Sequence, residues 1–84
     1  MNIEIYSKDD CSWCTKAKDL LESVGLSYTE KKYGVDYGKA HLEKLLGEGA
    51  KLTVPQIIIN NKLVGGYEDL GKYLEEHGVL GLQT

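Results

Sequence analysis

The run Gln56-Ile57-Ile58-Ile59, followed by Asn60-Asn61 and then Lys62-Leu63-Val64, restricts the fold more than any other stretch of the chain. Consecutive β-branched residues without polar alternation form a strand buried on both faces, so the sheet containing it must be covered above and below. Asn tolerates positive φ, and two such residues between extended segments specify a tight antiparallel hairpin. With 84 residues, the chain buries only about 60–65% of its unfolded surface. The covering layers must therefore be short helices around a thin core. An apolar fraction of 42% with 27% charged residues suits a folded soluble domain and not a disordered segment. No repeat, low-complexity tract or linker interrupts the chain, and residues 1–84 read as one domain.

The remaining elements follow from periodicity. Asn2 to Tyr6 alternates, with Ile3 and Ile5 on one face, and stops at the polar cluster Ser7-Lys8-Asp9-Asp10, predicting a strand and a turn. From Ser12 onward, Trp13, Ala17, Leu20, Leu21 and Val24 recur at helical intervals, and Gly25 stands where a helix ends. Leu26 to Lys32 reads as a second strand. Tyr37 to Leu46 is expected to form a helix with Leu42, Leu45 and Leu46 on one side, closed by Gly47. Gly65-Gly66 ends the hairpin, and Leu70, Tyr73 and Leu74 mark a last helix closing near Gly78. The order β-α-β-α-β-β-α implies one parallel crossover and a final antiparallel pair, hence a four-stranded mixed sheet flanked by three helices. The tail Val79-Leu80-Gly81-Leu82 is expected to pack on the sheet.

Charge and hydropathy exclude several classes. The formal net charge is −3, and Lys31-Lys32 is no basic stripe, so a nucleic-acid surface is not expected. No window approaches the ~18 apolar residues of a membrane span. The start, Met1-Asn2-Ile3-Glu4, lacks the basic region and apolar stretch of an export signal, so a cytoplasmic location is expected.

The two cysteines carry the chemistry. Cys11-Ser12-Trp13-Cys14 falls where the first strand passes into the first helix, and residues three apart at a helix start share a face, close enough for a disulfide. So small a loop hardly restricts the unfolded chain, which points to chemical use of the pair. At the helix N-terminus, free N–H groups and the positive dipole end favour a thiolate at Cys11, lowering its pKa from about 8.5. Cys11 then attacks first and Cys14 resolves the mixed disulfide. Lys8 adds favourable charge near that sulfur, while Asp9 and Asp10 are expected to point to water. Two structural cysteines or half of a zinc site stay open as rival readings. Zinc would need His41, His77 or carboxylates, and both histidines read as helix-surface residues, so no metal ligands are assigned.

Taken together, Ile5-Tyr6-Ser7-Lys8 leading into Cys11-Ser12-Trp13-Cys14, then Thr53-Val54-Pro55, then Gly65-Gly66-Tyr67-Glu68-Asp69-Leu70 make the chain resemble a glutaredoxin over nearly its whole length. The resemblance implies a thioredoxin-like α/β fold and an enzyme that reduces protein disulfides and glutathione mixed disulfides, with Cys11 and Cys14 catalytic and glutathione as reductant. It also implies a cis Val54-Pro55 bond facing the cysteines, with Val54 backbone groups pairing with an extended peptide. Glutathione would be held by Lys8 and Lys51 at its glycine carboxylate and by the N–H groups of Glu68 and Asp69 at its γ-glutamyl carboxylate. Asp69 would receive its ammonium, and Trp13, Thr53, Pro55, Gly66 and Tyr67 would lie around it. Gly65-Gly66 would let the backbone approach the ligand. Disulfide-containing clients are implied as partners, ribonucleotide reductase among them, acting on a monomer. Ser12-Trp13 departs from the Pro-Tyr of many dithiol members, and Trp13 is expected to be partly exposed. Ser12 also resembles members able to hold a [2Fe-2S] cluster between two subunits. Recharging by thioredoxin reductase is a further alternative, against which Lys8, Lys51 and Asp69 argue.

Overall fold

The sheet is assembled from β1 (Ile3–Ser7), β2 (Thr29–Lys32), β3 (Gln56–Ile59) and β4 (Lys62–Gly65), with α1 (Ser12–Ser23), α2 (Lys39–Leu46) and α3 (Tyr67–Glu76) between and after them. The computed structural model describes residues 1–79. The element order is the expected one, and the strand order is β2-β1-β3-β4. β1 pairs parallel with β2, and β3 pairs antiparallel with both β1 and β4. Asn60 and Asn61 turn the hairpin with φ of 52° and 66°, the backbone region their short polar side chains tolerate. A bulge between Ile57 and Ile58 shifts the register of β4, placing Gly65 opposite Ile57.

Alternation along the central strands sorts side chains onto two faces. Ile3, Ile5, Ile57 and Ile59 join Ala17 and Leu21 of α1 and Leu70 and Leu74 of α3 in one buried aliphatic cluster. Tyr6 and Ile58 face the other way and meet Leu42 of α2 and Tyr37. Thus α1 and α3 cover one face and α2 the other.

Both helices on the aliphatic face end alike. After α1, Gly25 adopts φ 75°; its N–H donates to Glu22 C=O at 3.1 Å and Leu26 N–H donates to Leu21 C=O at 2.9 Å. After α3, Gly78 (φ 74°) and Val79 donate to Glu75 and Leu74 in the same pattern. This closure satisfies terminal carbonyls and folds the next apolar residue back over the helix. Leu26 and Val79 accordingly pack against the aliphatic cluster; Leu80, Gly81 and Leu82 of the expected tail lie outside the described residues.

Three boundaries differ from the sequence expectation. Leu26 does not begin the second strand, because its N–H is engaged by α1 and pairing with β1 starts at Thr29. α2 begins at Lys39, with Gly38 at its N-cap. Tyr37 instead sits in a loop, bridged to Tyr33. Ser7 belongs to β1, fully buried, and not to the polar turn. Its hydroxyl donates to Glu30 at 2.6 Å, while its carbonyl accepts from Tyr33 N–H at 2.9 Å and Tyr37 O–H at 2.8 Å. Among the described residues, no helix is long and apolar enough to cross a membrane.

Candidate active site

Strand register gathers the sequence motifs at one end of the sheet. Tyr6, near the end of β1, pairs with Gln56 at the start of β3, so the segment before Gln56 lies beside the segment after Ser7. Ile57 pairs with Gly65, the last residue of β4, which brings the start of α3 to the same edge. Cys11-Cys14, Thr53-Val54-Pro55 and Gly66-Asp69 therefore meet although they lie far apart in sequence. The Val54-Pro55 bond is cis, as the resemblance implied.

Cys11 is the N-cap of α1, and Cys14 N–H donates to its Sγ at 3.2 Å. The two sulfurs are at bonding distance, with Cα atoms 5.2 Å apart, inside the disulfide range. Cys11 is half-buried and its Sγ lies 3.9 Å from Val54 O. Cys14 is 1% exposed. Only the first sulfur is open to an incoming group, and the helix N-terminus with its directed N–H favours negative charge there. Asp9 and Asp10 are exposed, and Asp9 pairs with Lys32 at 3.1 Å.

Trp13, Thr53, Val54, Pro55, Gly66, Tyr67, Glu68 and Asp69 line one shallow cleft of about 250 Å³. These are eight of the residues the sequence picked for glutathione. Trp13 is 51% exposed, its ring 5.5 Å from that of Tyr67, with Lys16 Nζ 4.5 Å above it. Lys8 borders the neighbouring grooves, one shared with Cys11 and one with Thr53 and Val54. Lys51 is exposed and lines none of these clefts. The glycine pair also serves the local packing. Gly65 (φ 126°) leaves room for Asp69, since a Cβ would stand 2.8 Å from Asp69 Cγ. Asp69 accepts a hydrogen bond from Gly66 N–H at 3.3 Å, and Gly66 offers no side-chain cap to α3. The first N–H groups of that helix are thus left to other acceptors.

Two features of this end had no local signal in the sequence. Glu30 accepts from Ser7 Oγ and pairs with Lys18 Nζ at 3.0 Å; the Ser7 hydrogen bond, the largest influence, holds its carboxyl below the usual 4.5 against the opposing effect of burial, with Lys18 adding to the lowering. On the opposite face, Tyr6 OH lies 3.1 Å from His41 Nε2, and Tyr37 is pushed up to about 12 by burial and by its neighbours Tyr33 and Tyr6. His41 lies on the surface of α2 and His77 caps α3, both exposed. Among the described residues, no group of three or more His, Cys, Asp or Glu side chains is placed to hold a metal ion.

The glutaredoxin family model matches residues 3–64. Glutaredoxin 3 of Escherichia coli strain K12 is 41% identical over 69 residues, 82% of this chain and 81% of that protein. Reduced Escherichia coli glutaredoxin superposes with a TM-score of 0.74 at 27% identity, covering all of both chains. A buckwheat glutaredoxin-glutathione complex superposes with a TM-score of 0.73 at 26% identity, over 93% of this chain and 71% of that one.

Proposed function

Because this chain belongs to the glutaredoxin family, we propose that it is a glutathione-dependent thiol-disulfide oxidoreductase that reduces protein disulfides and glutathione mixed disulfides. One observation carries the reading: the half-buried Cys11 sulfur at the start of α1 receives the Cys14 N–H and borders Val54, with Cys14 buried behind it. Reduced Cys11 is stabilised there as a thiolate and attacks a client disulfide sulfur. The client's other sulfur leaves as a thiolate and takes a proton. Cys14, deprotonated, then attacks Cys11 Sγ, releasing the second client thiol and closing the protein disulfide. Two glutathione molecules reopen it, leaving glutathione disulfide.

In this reading glutathione lies across Val54. Its γ-glutamyl carboxylate takes the free N–H groups of Glu68 and Asp69, and its ammonium takes the Asp69 carboxylate. Trp13, Tyr67, Thr53, Pro55 and Gly66 form the walls. The glycine carboxylate falls to Lys8; Lys51, outside the clefts, contributes at longer range. The protein acts as a cytoplasmic monomer on disulfide-containing clients, ribonucleotide reductase among them.

The test is glutathione-coupled turnover of wild type beside two serine variants. Cys11→Ser loses all measurable activity, a fall of roughly 10³ or more for removal of a nucleophile. Cys14→Ser loses reduction of protein disulfides but still removes glutathione from modified proteins. Full activity in Cys11→Ser would overturn the assignment, and faster turnover with thioredoxin reductase than with glutathione would overturn the choice of reductant.

A further inference from the structure

Beyond Lys8, the groove on the far side of Val54 widens into a cavity of about 450 Å³ between the Tyr33-Tyr37 loop, the start of α2 and Leu52-Thr53. Glycine has no side chain to fill it. We infer that this cavity is a client-selecting subsite, taking a large apolar side chain immediately after the client's reactive cysteine and an acidic side chain one residue further on. The inference rests on the proposed placement of an extended chain across Val54.

Three observations support it. The wall is built and rigid: Tyr37 is 9% exposed, and its hydroxyl donates to Ser7 C=O at 2.8 Å. The Tyr33 ring stands edge-on to it at 5.5 Å, 46% exposed to an incoming group. Leu42 and Leu52 complete an apolar floor, suited to an aromatic or branched side chain.

The rim is cationic. Lys8 and Lys39 both line the cavity and neither forms an ion pair among the described residues, whereas Lys18 and Lys32 do. The one acidic residue of the adjoining loop, Asp36, is turned to the Lys32 backbone N–H at 2.8 Å. Among the described residues no carboxylate borders the cavity, so charge complementarity selects an anion.

The two clefts flanking Val54 set the direction of the client chain. The cleft toward Gly66-Asp69 takes residues on the N-terminal side of the cysteine, and the cavity toward Lys8 takes residues on its C-terminal side. Glutathione, ending in glycine, uses only the near edge at Lys8. A polypeptide client extends past that edge. The reaction needs no further reagent: the reduced protein gives two electrons, Cys11 and Cys14 become a disulfide, and the client disulfide yields two thiols.

Single-turnover reduction of symmetric peptide disulfides tests this, with released peptide thiol as the readout. The blocked peptides are Ala-Cys-Tyr-Asp, Ala-Cys-Tyr-Asn and Ala-Cys-Gly-Asn, beside glutathione disulfide. The first should be reduced about tenfold faster than the third, the scale of selectivity an apolar pocket provides. Lys39→Gln should lose about threefold on the Asp peptide alone, as expected for one exposed charge pair. Tyr33→Ser should lose the preference for Tyr over Gly. Both side chains are exposed, so both variants fold, and both should reduce glutathione disulfide at the wild-type rate. Equal rates for the three peptides, with glutathione disulfide reduced normally, would overturn the subsite and leave the glutaredoxin reading standing. Failure to reduce glutathione disulfide would overturn that reading itself.

Discussion

The two faces of the sheet are built from different materials. Toward α1 and α3, eight aliphatic or small residues lie at 2% exposure or less, and the tyrosines packed against them, Tyr28, Tyr67 and Tyr73, are only partly buried. Toward α2, the buried set is Tyr6, Tyr37, Leu42 and Ile58, at 4–9% exposure, fringed by His41, Lys8 and the open cavity. Apolar burial is nondirectional and scales with area, so the first face holds the fold together without shaping a surface. The second uses directed hydrogen bonds to set ring positions, which is what a recognition surface requires. The cysteines sit where the faces meet, at the N-terminus of α1.

If this division is right, equal truncations should have unequal costs. Leu21→Ala removes a fully buried side chain from the close-packed face and should destabilise by about 3–5 kcal/mol. Leu42→Ala opens a face already bordering an open cavity and should cost about 2 kcal/mol, at the low end of the same range. Denaturant unfolding of both variants measures the difference. Equal losses would mean that the α2 face is as tightly packed as the other and that the contrast is only chemical.

A smaller change probes the hydrogen-bonded side directly. Tyr37→Phe deletes one donor to Ser7 C=O, but that carbonyl keeps the Tyr33 N–H at 2.9 Å. The loss should stay near 1 kcal/mol, since no buried acceptor is stranded. It should also change the alkaline limb of stability. The Tyr37 phenol is raised from 10.0 to about 12, so its contribution is complete below pH 10 and disappears as pH climbs through about 12. In Tyr37→Phe that part of the alkaline loss should be missing; an unchanged alkaline limb would assign it to other groups.

The same contrast explains how much of the molecule is legible in the chain. Ile57-Ile58-Ile59, the Asn60-Asn61 turn and the spacing of Ala17, Leu21, Leu70 and Leu74 are local signals, and they delivered the element order and the aliphatic face. The Cys11-Cys14 pair and the segments around Pro55 and Gly66 are legible as motifs, and register brings them together. What stayed hidden depends on partners distant in sequence. Ser7 looked like turn material because its neighbours are polar, yet Glu30 and Tyr37 supply the partners that permit its burial. Tyr37 carried the right periodicity for α2, but its hydroxyl is held by β1 and the helix starts after Gly38. Lys51 matched by position in the chain, which does not tell which way a loop presents its side chain.

The polar group beneath Cys11 offers the finest test of the division. Glu30 lies on β2, an edge strand, with its side chain 31% exposed, and its pKa is held below 4.5 by Ser7 and Lys18. A carboxyl with a depressed folded-state pKa adds stability above its unfolded value, and that stability is lost as pH falls through the lower folded value. Glu30→Gln retains an acceptor for Ser7 but abolishes the charge facing Lys18. At neutral pH its cost should be the smallest of the set, because partly exposed ion pairs are screened by solvent. Below pH 4.5, where wild type weakens, the variant should weaken less. The two unfolding curves should therefore converge in acid, as followed by thermal denaturation from pH 7 down to pH 3. Parallel curves would mean that the Ser7-Glu30-Lys18 contact is a passive surface pair. Convergence would show that the β2 edge of the sheet, unlike either of its faces, is held by charge.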